Sequence, residues 1–248
     1  MYAARYYTFK KYNTLIRLFV SAPELYEGIN IALSDGQAHY LRNVMRKDIG
    51  EGLRIFNGRD GEWLASLSEI NKKKAIVTLD KQIHKQKSCP DVHVFASPVK
   101  KEAFDFMIEK SCELGAKSFT PVICDRTVVH RVNAERLQAI ATEAAEQSER
   151  LDVLEIHPLT PLKNCLNSMD KNINLIFCIE RKEAPSLAEV VAKLKDKPIG
   201  ILIGAEGGFS ETEIAAITQY SFVHPATLGD RILKAETALL ATLANITL

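Results

Sequence analysis

The chain has 248 residues, of which 46% are hydrophobic and 25% charged, the composition of an ordinary globular protein long enough for two modest domains. No stretch approaches the roughly 20 apolar residues of a membrane helix, and the N-terminus lacks the apolar core of a secretory signal, so we expect a cytoplasmic protein without membrane attachment. The five cysteines form no CxxC pair and the six histidines no HExxH motif, which argues against a metal site.

The net charge of +1 conceals an uneven distribution along the chain. Residues 1–88 carry 15 Lys and Arg against 9 Asp and Glu, a balance of +6, whereas residues 89–248 have a balance of −5. A basic first third indicates a module that binds a polyanion such as a nucleic acid. The alternative is a solvated lysine face, which the run Lys72-Lys73-Lys74 by itself would represent.

The first 88 residues show short apolar runs and turn signals that are typical of β structure. We expect strands over residues 53–56, 62–70 and 75–83, and one helix over 37–45 with Ser34 or Asp35 as its N-cap. Several short strands with one helix predict a small barrel. Residues 85–90 are polar and basic, end in proline, and are expected to form a linker.

Beyond the linker, strands and helices alternate, which predicts an α/β domain with a mainly parallel sheet covered on both faces. The predicted strands span residues 92–96, 119–124, 175–179, 199–203 and 222–228. The predicted helices span residues 101–114, 133–149, 187–194, 211–219 and 235–246, with Asn133 as a cap.

The sharpest local feature is a glycine-rich segment, residues 203–208, which follows a buried strand and precedes a helix start where Ser210 and Glu213 fit a capping box. Glycines let a backbone approach a ligand closely, and ligands bind at the strand ends of open α/β sheets. The segment has neither the ending of a phosphate loop nor GxGxxG spacing, and Glu206 opposes a pyrophosphate. Spacing alone leaves open a ligand loop or a tight turn without a ligand.

A second loop, residues 228–238, follows the next predicted strand and leads into the last helix. If the two strands are adjacent and parallel, the loop lies beside the glycine segment, and its apolar pair Ile232-Leu233 presses on a flat ring in a shared cleft. The alternative is a helix N-terminus whose acidic residues are favoured by the helix dipole.

A third stretch, residues 143–150, places charged and polar side chains on one helix face, where they either line a site or face solvent. In this order the three stretches resemble the RsmE family, bacterial methyltransferases of the SPOUT class that methylate N3 of a uridine in 16S ribosomal RNA. The resemblance runs from about Ile16 to the C-terminus. The matching segments are residues 110–115, 146–150, 203–208, 228–238 and, less specific, 39–46.

The resemblance implies a PUA-like RNA-binding β-barrel over residues 16–88 and a SPOUT methyltransferase domain over residues 89–248, an α/β fold whose parallel sheet contains a deep trefoil knot. The implied cofactor is S-adenosylmethionine (SAM), and the implied working unit is a homodimer that acts on 16S rRNA of the small ribosomal subunit. Residues 1–15 precede the match as an N-terminal extension, either a basic, aromatic RNA-contacting tail or sequence upstream of the true start codon.

The resemblance places SAM in the two late loops. The implied SAM-binding residues are Leu202, Ile203, Gly204, Ala205, Glu206, Gly207, Gly208, Leu228, Gly229, Arg231, Ile232, Leu233, Glu236, Thr237 and Ala238. Two residues depart from the family pattern. Ala205 stands in place of a proline. Lys234 stands in place of an arginine; the lysine keeps the positive charge but cannot donate the paired hydrogen bonds of a guanidinium group.

Methylation of uracil N3 requires removal of its proton and stabilisation of the charge that then spreads over O2 and O4. The candidate cations are Arg231 and Arg126, with a structural ion pair as the alternative for Arg231. The candidate proton acceptors or cofactor contacts are Glu206 and Glu236. The expected phosphate contacts are Arg17, Arg42, Arg46 and Arg54.

Two rival functions remain open from the sequence. A non-catalytic RNA-binding or ribosome-assembly protein that keeps a SPOUT fold would account for the basic first third, but the intact glycine segment argues against it. A Rossmann-like NAD(P) enzyme is opposed by the missing dinucleotide fingerprint and by the acidic Glu206.

Overall fold

The computed structural model describes residues 12, 14–72, 74–180, 182–194 and 196–248. The chain divides into two compact units, residues 1–88 and 89–248. Most of the expected N-terminal extension, residues 1–15, lies outside the described part of the chain. Of the helices in the described part, none is long and apolar enough to cross a membrane.

In the described part of the N-terminal unit, five strands form one sheet. Its strands are β1 (Arg17–Phe19), β2 (Asn30–Ala32), β3 (Gly52–Phe56), β4 (Glu62–Ile70) and β5 (Ala75–His84). They lie in the order β1-β3-β4-β5-β2, with β1 parallel to β3 and the other pairs antiparallel. Register shifts between β4 and β5 add local twist, and the sheet packs around an apolar core that includes Leu53, Leu67 and Val77.

The helix expected over residues 37–45 is two segments in the structure. Helix α1 (Asp35–His39) begins after Ser34, whose hydroxyl accepts a hydrogen bond from the Gln37 N–H while the Gln37 side chain accepts from the Ser34 N–H. This capping box confirms Ser34 as the N-cap. The chain continues directly into one π-helical turn, Tyr40–Val44.

The C-terminal unit is a parallel sheet with helices on both faces. Its strands are β6 (Val92–Ala96), β7 (Ser118–Ile123), β8 (Glu155–Ile156), β9 (Thr160–Pro161), β10 (Asn174–Cys178), β11 (Ile199–Ile203) and β12 (Val223–Ala226). Its helices are α2 (Lys101–Glu113), α3 (Ala134–Gln147), α4 (Leu162–Ser168), α5 (Leu187–Lys193), α6 (Glu211–Ile217) and α7 (Ala235–Thr247).

Successive side chains of these strands are buried on opposite faces of the sheet. On one face, Phe177 and Leu202 pack with Leu166 of α4 and Ile217 of α6. On the other face Ile201 is fully buried, and α7 packs against β11 and α2. Burial on both faces explains why these strands are apolar almost without alternation, as the sequence predicts.

The order of the strands corrects one expectation from the sequence. The sheet runs β12-β10-β11-β6-β7-β8, with β9 paired to β7, so β11 and β12 are not neighbours. Strand β10 lies between them and pairs parallel with both. Because parallel strands end at the same edge, the loops after β11 and β12 flank the loop that follows β10.

Candidate functional site

The glycine-rich segment is a tight turn at the end of β11. The N–H of Gly208 donates to the carbonyl oxygen of Ala205 across 2.8 Å, and Gly208 has a φ of 70°, a backbone conformation that favours glycine. Gly204 is buried against the ring of Phe209. Glu206 and Gly207 are exposed at the tip, so the turn offers its backbone and one carboxylate to solvent.

The helix start after this turn has the capping box that the sequence predicts. The hydroxyl of Ser210 accepts from the Glu213 N–H across 3.1 Å, and Glu213 Oε2 accepts from the Ser210 N–H across 2.9 Å. Glu213 is buried although it is acidic. The reciprocal pair therefore sets the point at which α6 begins and the direction in which the glycine turn leaves β11.

Arg126, a candidate cation, contacts the glycine turn. It lies in the loop after β7, and its Nη1 donates to the carbonyl oxygen of Gly207 across 2.6 Å. A Cβ on Gly207 would lie 3.3 Å from Arg126 Cδ, closer than side-chain carbons usually approach. The glycine at position 207 thus permits the close passage of the arginine side chain.

The loop after β12 holds the other predicted residues. Arg231 is exposed, and among the residues that the structure describes it has no hydrogen-bond or ion-pair partner. Ile232 is also exposed, at 57%, while Leu233 and Glu236 are half-buried. Lys234 is the N-cap of α7 and makes no side-chain capping bond. The structural ion pair considered for Arg231 has no support in the described part of the chain.

The remaining predicted residues flank these groups. Leu202 and Ile203 are buried at the end of β11, and Leu228 is half-buried after β12. Gly229 has a φ of 96° and is exposed. Thr237 and Ala238 lie in the first turn of α7, which packs against β11. The structure therefore brings both predicted loops to the C-terminal edge of the sheet.

The loop between β10 and α5 contacts both predicted loops through its described residues, and it was not among the predicted site segments. The Thr227 N–H donates to the carbonyl oxygen of Pro185 across 2.9 Å, and the Leu187 N–H donates to that of Thr227 across 3.0 Å. On the other side, Glu180 Oε1 lies 3.1 Å from the point where a Cβ on Gly208 would be. The only sequence signal for Glu180 was an acidic residue directly after an apolar strand.

The cysteines near this edge are protonated thiols. Burial raises the pKa of the Cys124 thiol to about 12, and the nearby Glu213 carboxylate adds to the effect. Burial likewise raises the pKa of Cys178, at the end of β10, to about 11. Because a thiolate and not a thiol is the nucleophile, neither group is suited to covalent catalysis near neutral pH.

The third stretch singled out in the sequence, residues 143–150, contributes to structure at the other edge of the sheet. Arg150 Nη1 donates to the carbonyl oxygens of Cys112 and Ala116 across 2.7 and 3.0 Å, and its Nε donates to Asp152 across 2.8 Å. Ala116 precedes β7, so this arginine ties the end of α2 to the N-terminal edge of the sheet. It is remote from the glycine turn.

Two of the four arginines expected to contact phosphate are buried, which corrects that part of the prediction. Arg17 Nε lies 2.5 Å and Arg54 Nη1 3.8 Å from Glu62 Oε1, with the two arginine side chains 3% and 6% exposed. Arg17 also stacks over the ring of Phe56 at 3.7 Å. A phosphate cannot reach guanidinium groups that are held inside the unit by a buried carboxylate.

The other two arginines, Arg42 and Arg46, line one open groove of about 660 Å³ in the N-terminal unit. Lys47 and Lys72 lie in the same wall, with Asp48 as its acidic member. Arg42 is half-buried and Arg46 exposed. The groove therefore concentrates positive charge where an anionic ligand can reach it.

Both units match models of known protein families. Residues 85–247 match the model described as an RNA methyltransferase domain, and residues 33–80 match the RNA methyltransferase PUA domain. The chain is 32% identical over 239 residues to ribosomal RNA small subunit methyltransferase E of Rickettsia conorii, covering 96% of both chains. It is 29% identical over 236 residues to the Bacillus subtilis protein of the same name, covering 90% of this chain and 91% of that one.

The fold agrees with these sequence matches. The crystal structure of ribosomal RNA small subunit methyltransferase E from Neisseria gonorrhoeae, bound to SAM, superposes with a TM-score of 0.84 at 27% identity, covering 93% of this chain and 95% of that one. This likeness and the domain matches confirm a SPOUT-type parallel sheet preceded by a PUA-like unit. The chain belongs to the RsmE family of RNA methyltransferases.

Proposed function

We propose that this protein transfers the methyl group of SAM to N3 of a uridine in 16S rRNA of the small ribosomal subunit. The observation that carries the proposal is the intact glycine turn, with Arg231 exposed in the flanking loop, in a chain of the RsmE family. The names of the curated relatives and the SAM bound to the Neisseria gonorrhoeae protein support the substrate and the cofactor.

The residues at this edge fit the chemistry of SAM. Glu206 and Glu180 are exposed carboxylates that have no hydrogen-bond or ion-pair partner among the described residues and can accept from hydroxyl or ammonium donors. Ile232 and Leu233 supply apolar surface for a flat ring. The backbone of residues 202–208 and 228–229, with the start of α7 at Glu236, Thr237 and Ala238, would hold the cofactor. Its sulfonium supplies the reactive methyl group, so the protein need not activate the donor.

The protein's own task is to orient the uracil and to handle its N3 proton. The uridine must be unpaired or flipped, since N3 is hidden in a base pair. Arg231 would stabilise the charge that spreads over O2 and O4 when N3 loses its proton, and a carboxylate, Glu206 or Glu236, would accept that proton. Arg231 is suited to this role because its guanidinium is exposed at the loop and unpaired among the described residues.

RNA binding is assigned to the groove formed by Arg42, Arg46, Lys47 and Lys72 in the N-terminal unit. Its positive charge and its accessibility support contact with the phosphate backbone. The trefoil knot and the homodimer, which the resemblance implies, and the cytoplasmic place of action expected from the sequence stay predictions.

Calorimetric titration of the full-length protein with SAM distinguishes the proposed function from its rival. The rival is a non-catalytic RNA-binding protein with a SPOUT fold. We expect saturable binding of one SAM per chain. A matched variant, Gly208→Val, should lose binding because a β-branched residue is strained at a φ of 70°. Wild-type protein that is folded and does not bind SAM would favour the rival and overturn the proposed function.

A further inference from the structure

The loop between β7 and α3 forms hydrogen bonds with the glycine turn and with the start of α6, the helix that follows the turn. Arg126 Nη1 donates to the Gly207 carbonyl oxygen across 2.6 Å. The preceding residue, Asp125, accepts from the Ser210 hydroxyl through Oδ2 across 2.5 Å. Two consecutive residues of one loop therefore contact both ends of the segment that leads from the turn into α6.

A buried carboxylate reinforces this connection. Glu213 is 8% exposed, and its Oε1 accepts from the Asp125 N–H across 2.8 Å while its Oε2 accepts from the Ser210 N–H across 2.9 Å. Each oxygen holds a backbone N–H from a different loop. The position of Asp125 relative to Ser210 is thus set by one side chain that has little freedom to move.

The start of the loop, on both sides of Asp125 and Arg126, is anchored in the core of the unit. Thr127 is buried, its Oγ1 accepts from the Cys124 N–H across 2.8 Å, and it lies 2.6 Å from Ser97 Oγ. The Ser97 N–H in turn donates to the carbonyl oxygen of Ile203 across 3.0 Å, at the point where β11 ends. The loop is therefore fixed to the same strand end from which the glycine turn leaves.

We propose that residues 124–127 form a clamp that holds the glycine turn in its ligand-binding shape, and that Arg126 is a positioning residue that acts through Gly207. Its guanidinium is directed at a protein carbonyl, and Gly207 lacks the Cβ that would obstruct its approach. This inference rests on the proposed function and reassigns Arg126, which leaves Arg231 as the candidate cation for the uracil.

The first test compares Arg126→Ala, Arg126→Lys and wild type. Removing a charged hydrogen bond should raise the Kd for SAM about tenfold or more, while kcat at saturating SAM changes about threefold or less, because the clamp acts on binding. Arg126→Lys keeps a donor and should recover most of the affinity. An unchanged Kd with a kcat that falls about 100-fold would overturn the proposal and make Arg126 catalytic.

The second test uses the coupling between Arg126 and Gly207. Gly207→Ala should weaken SAM binding in the wild type, since its Cβ would crowd Arg126 Cδ at 3.3 Å. It should weaken binding by a smaller factor in Arg126→Ala, where that atom is absent. Additive effects in this double-mutant cycle would contradict a direct interaction. Thermal unfolding of each variant shows whether it is folded.

A third measurement needs no cofactor. Hydrogen exchange at the Gly208 amide, which closes the turn, should be faster in Asp125→Ala and in Arg126→Ala than in wild type, with exchange in β6 unchanged. Equal exchange at Gly208 in all three proteins would refute the clamp. Failure of wild-type protein to bind SAM would instead refute the proposed function, so the two claims fail by different results.

Discussion

Arg17 Nε lies 2.5 Å from Glu62 Oε1 inside the N-terminal unit, and the two side chains are 3% and 2% exposed. His84 Nδ1 lies 2.7 Å from the other carboxylate oxygen. The pair connects β1 to β4, strands that are not hydrogen-bonded neighbours in the sheet. Arg17 therefore neutralises the buried carboxylate of Glu62 and holds β1 in place beside the sheet.

Replacing Arg17 with alanine should lower the free energy of unfolding by about 3–5 kcal/mol, because it leaves the Glu62 carboxylate buried without its closest cation. Arg42→Ala, at a groove position, should stay within about 0.5 kcal/mol of wild type. Urea denaturation of both variants measures the difference. A stable Arg17→Ala protein with RNA affinity reduced as much as in Arg42→Ala would restore Arg17 as a phosphate contact.

Removing the two groove arginines should weaken RNA binding and flatten its dependence on salt. The plot of log K against log salt has a negative slope, and each lost phosphate contact reduces its magnitude by about 0.7–0.9. The double variant Arg42→Ala with Arg46→Ala should therefore reduce that magnitude by about 1.5. The measurement is a titration of labelled 16S rRNA at several salt concentrations. Lys163→Ala with Lys171→Ala, two exposed lysines of the other unit, removes the same charge and is the matched control. An unchanged slope in the double variant would place the RNA elsewhere.

The sequence predicts the long regular elements well. The bounds of β4, β6 and β11 agree with the structure because each is a continuous or alternating apolar run between turn residues. The capping box at Ser210 is a local signal and is confirmed. Strands β1, β2, β8 and β9 have two or three residues each, too few for a pattern, and α4 begins after Pro161, which cannot supply a side-chain cap.

The arrangement of the site is less accessible from sequence, because it depends on contacts between distant segments. Strand β10 lies between β11 and β12, and the order of strands in a sheet cannot be read from a local sequence pattern. For the same reason the burial of Arg17 and Arg54 could not be predicted, since it requires Glu62 from another strand. The contact of Glu180 with the glycine turn follows from the position of β10.

Arg231→Ala should lower kcat about 100-fold, the effect of removing one group that stabilises charge in the transition state. The Kd for SAM should change about threefold or less if the guanidinium acts mainly on the uracil. Methyl transfer to small subunits at saturating SAM, with calorimetry for affinity, measures both. Lys193→Ala, exposed on α5, controls for loss of one positive charge. Full turnover by Arg231→Ala would remove its catalytic role.

The five cysteines should resist alkylation in the native protein. Burial is the largest cause that raises the pKa of each thiol, to about 11 for Cys89, Cys165 and Cys178 and to about 12 for Cys124, and in the same direction for Cys112. Since the raised pKa keeps each group protonated through pH 8, maleimide labelling followed by mass spectrometry should be slow until urea is added. Rapid labelling of any cysteine without denaturant would contradict this expectation.

Nucleoside mass spectrometry of 16S rRNA tests the central claim most directly. Small subunits from cells that lack this methylation are incubated with the protein and SAM, and the digested rRNA is compared with a reaction that lacks SAM. We expect new 3-methyluridine, formed by the wild type and strongly reduced with Arg231→Ala. Wild-type protein that binds SAM and forms no 3-methyluridine in this rRNA would contradict the proposed activity.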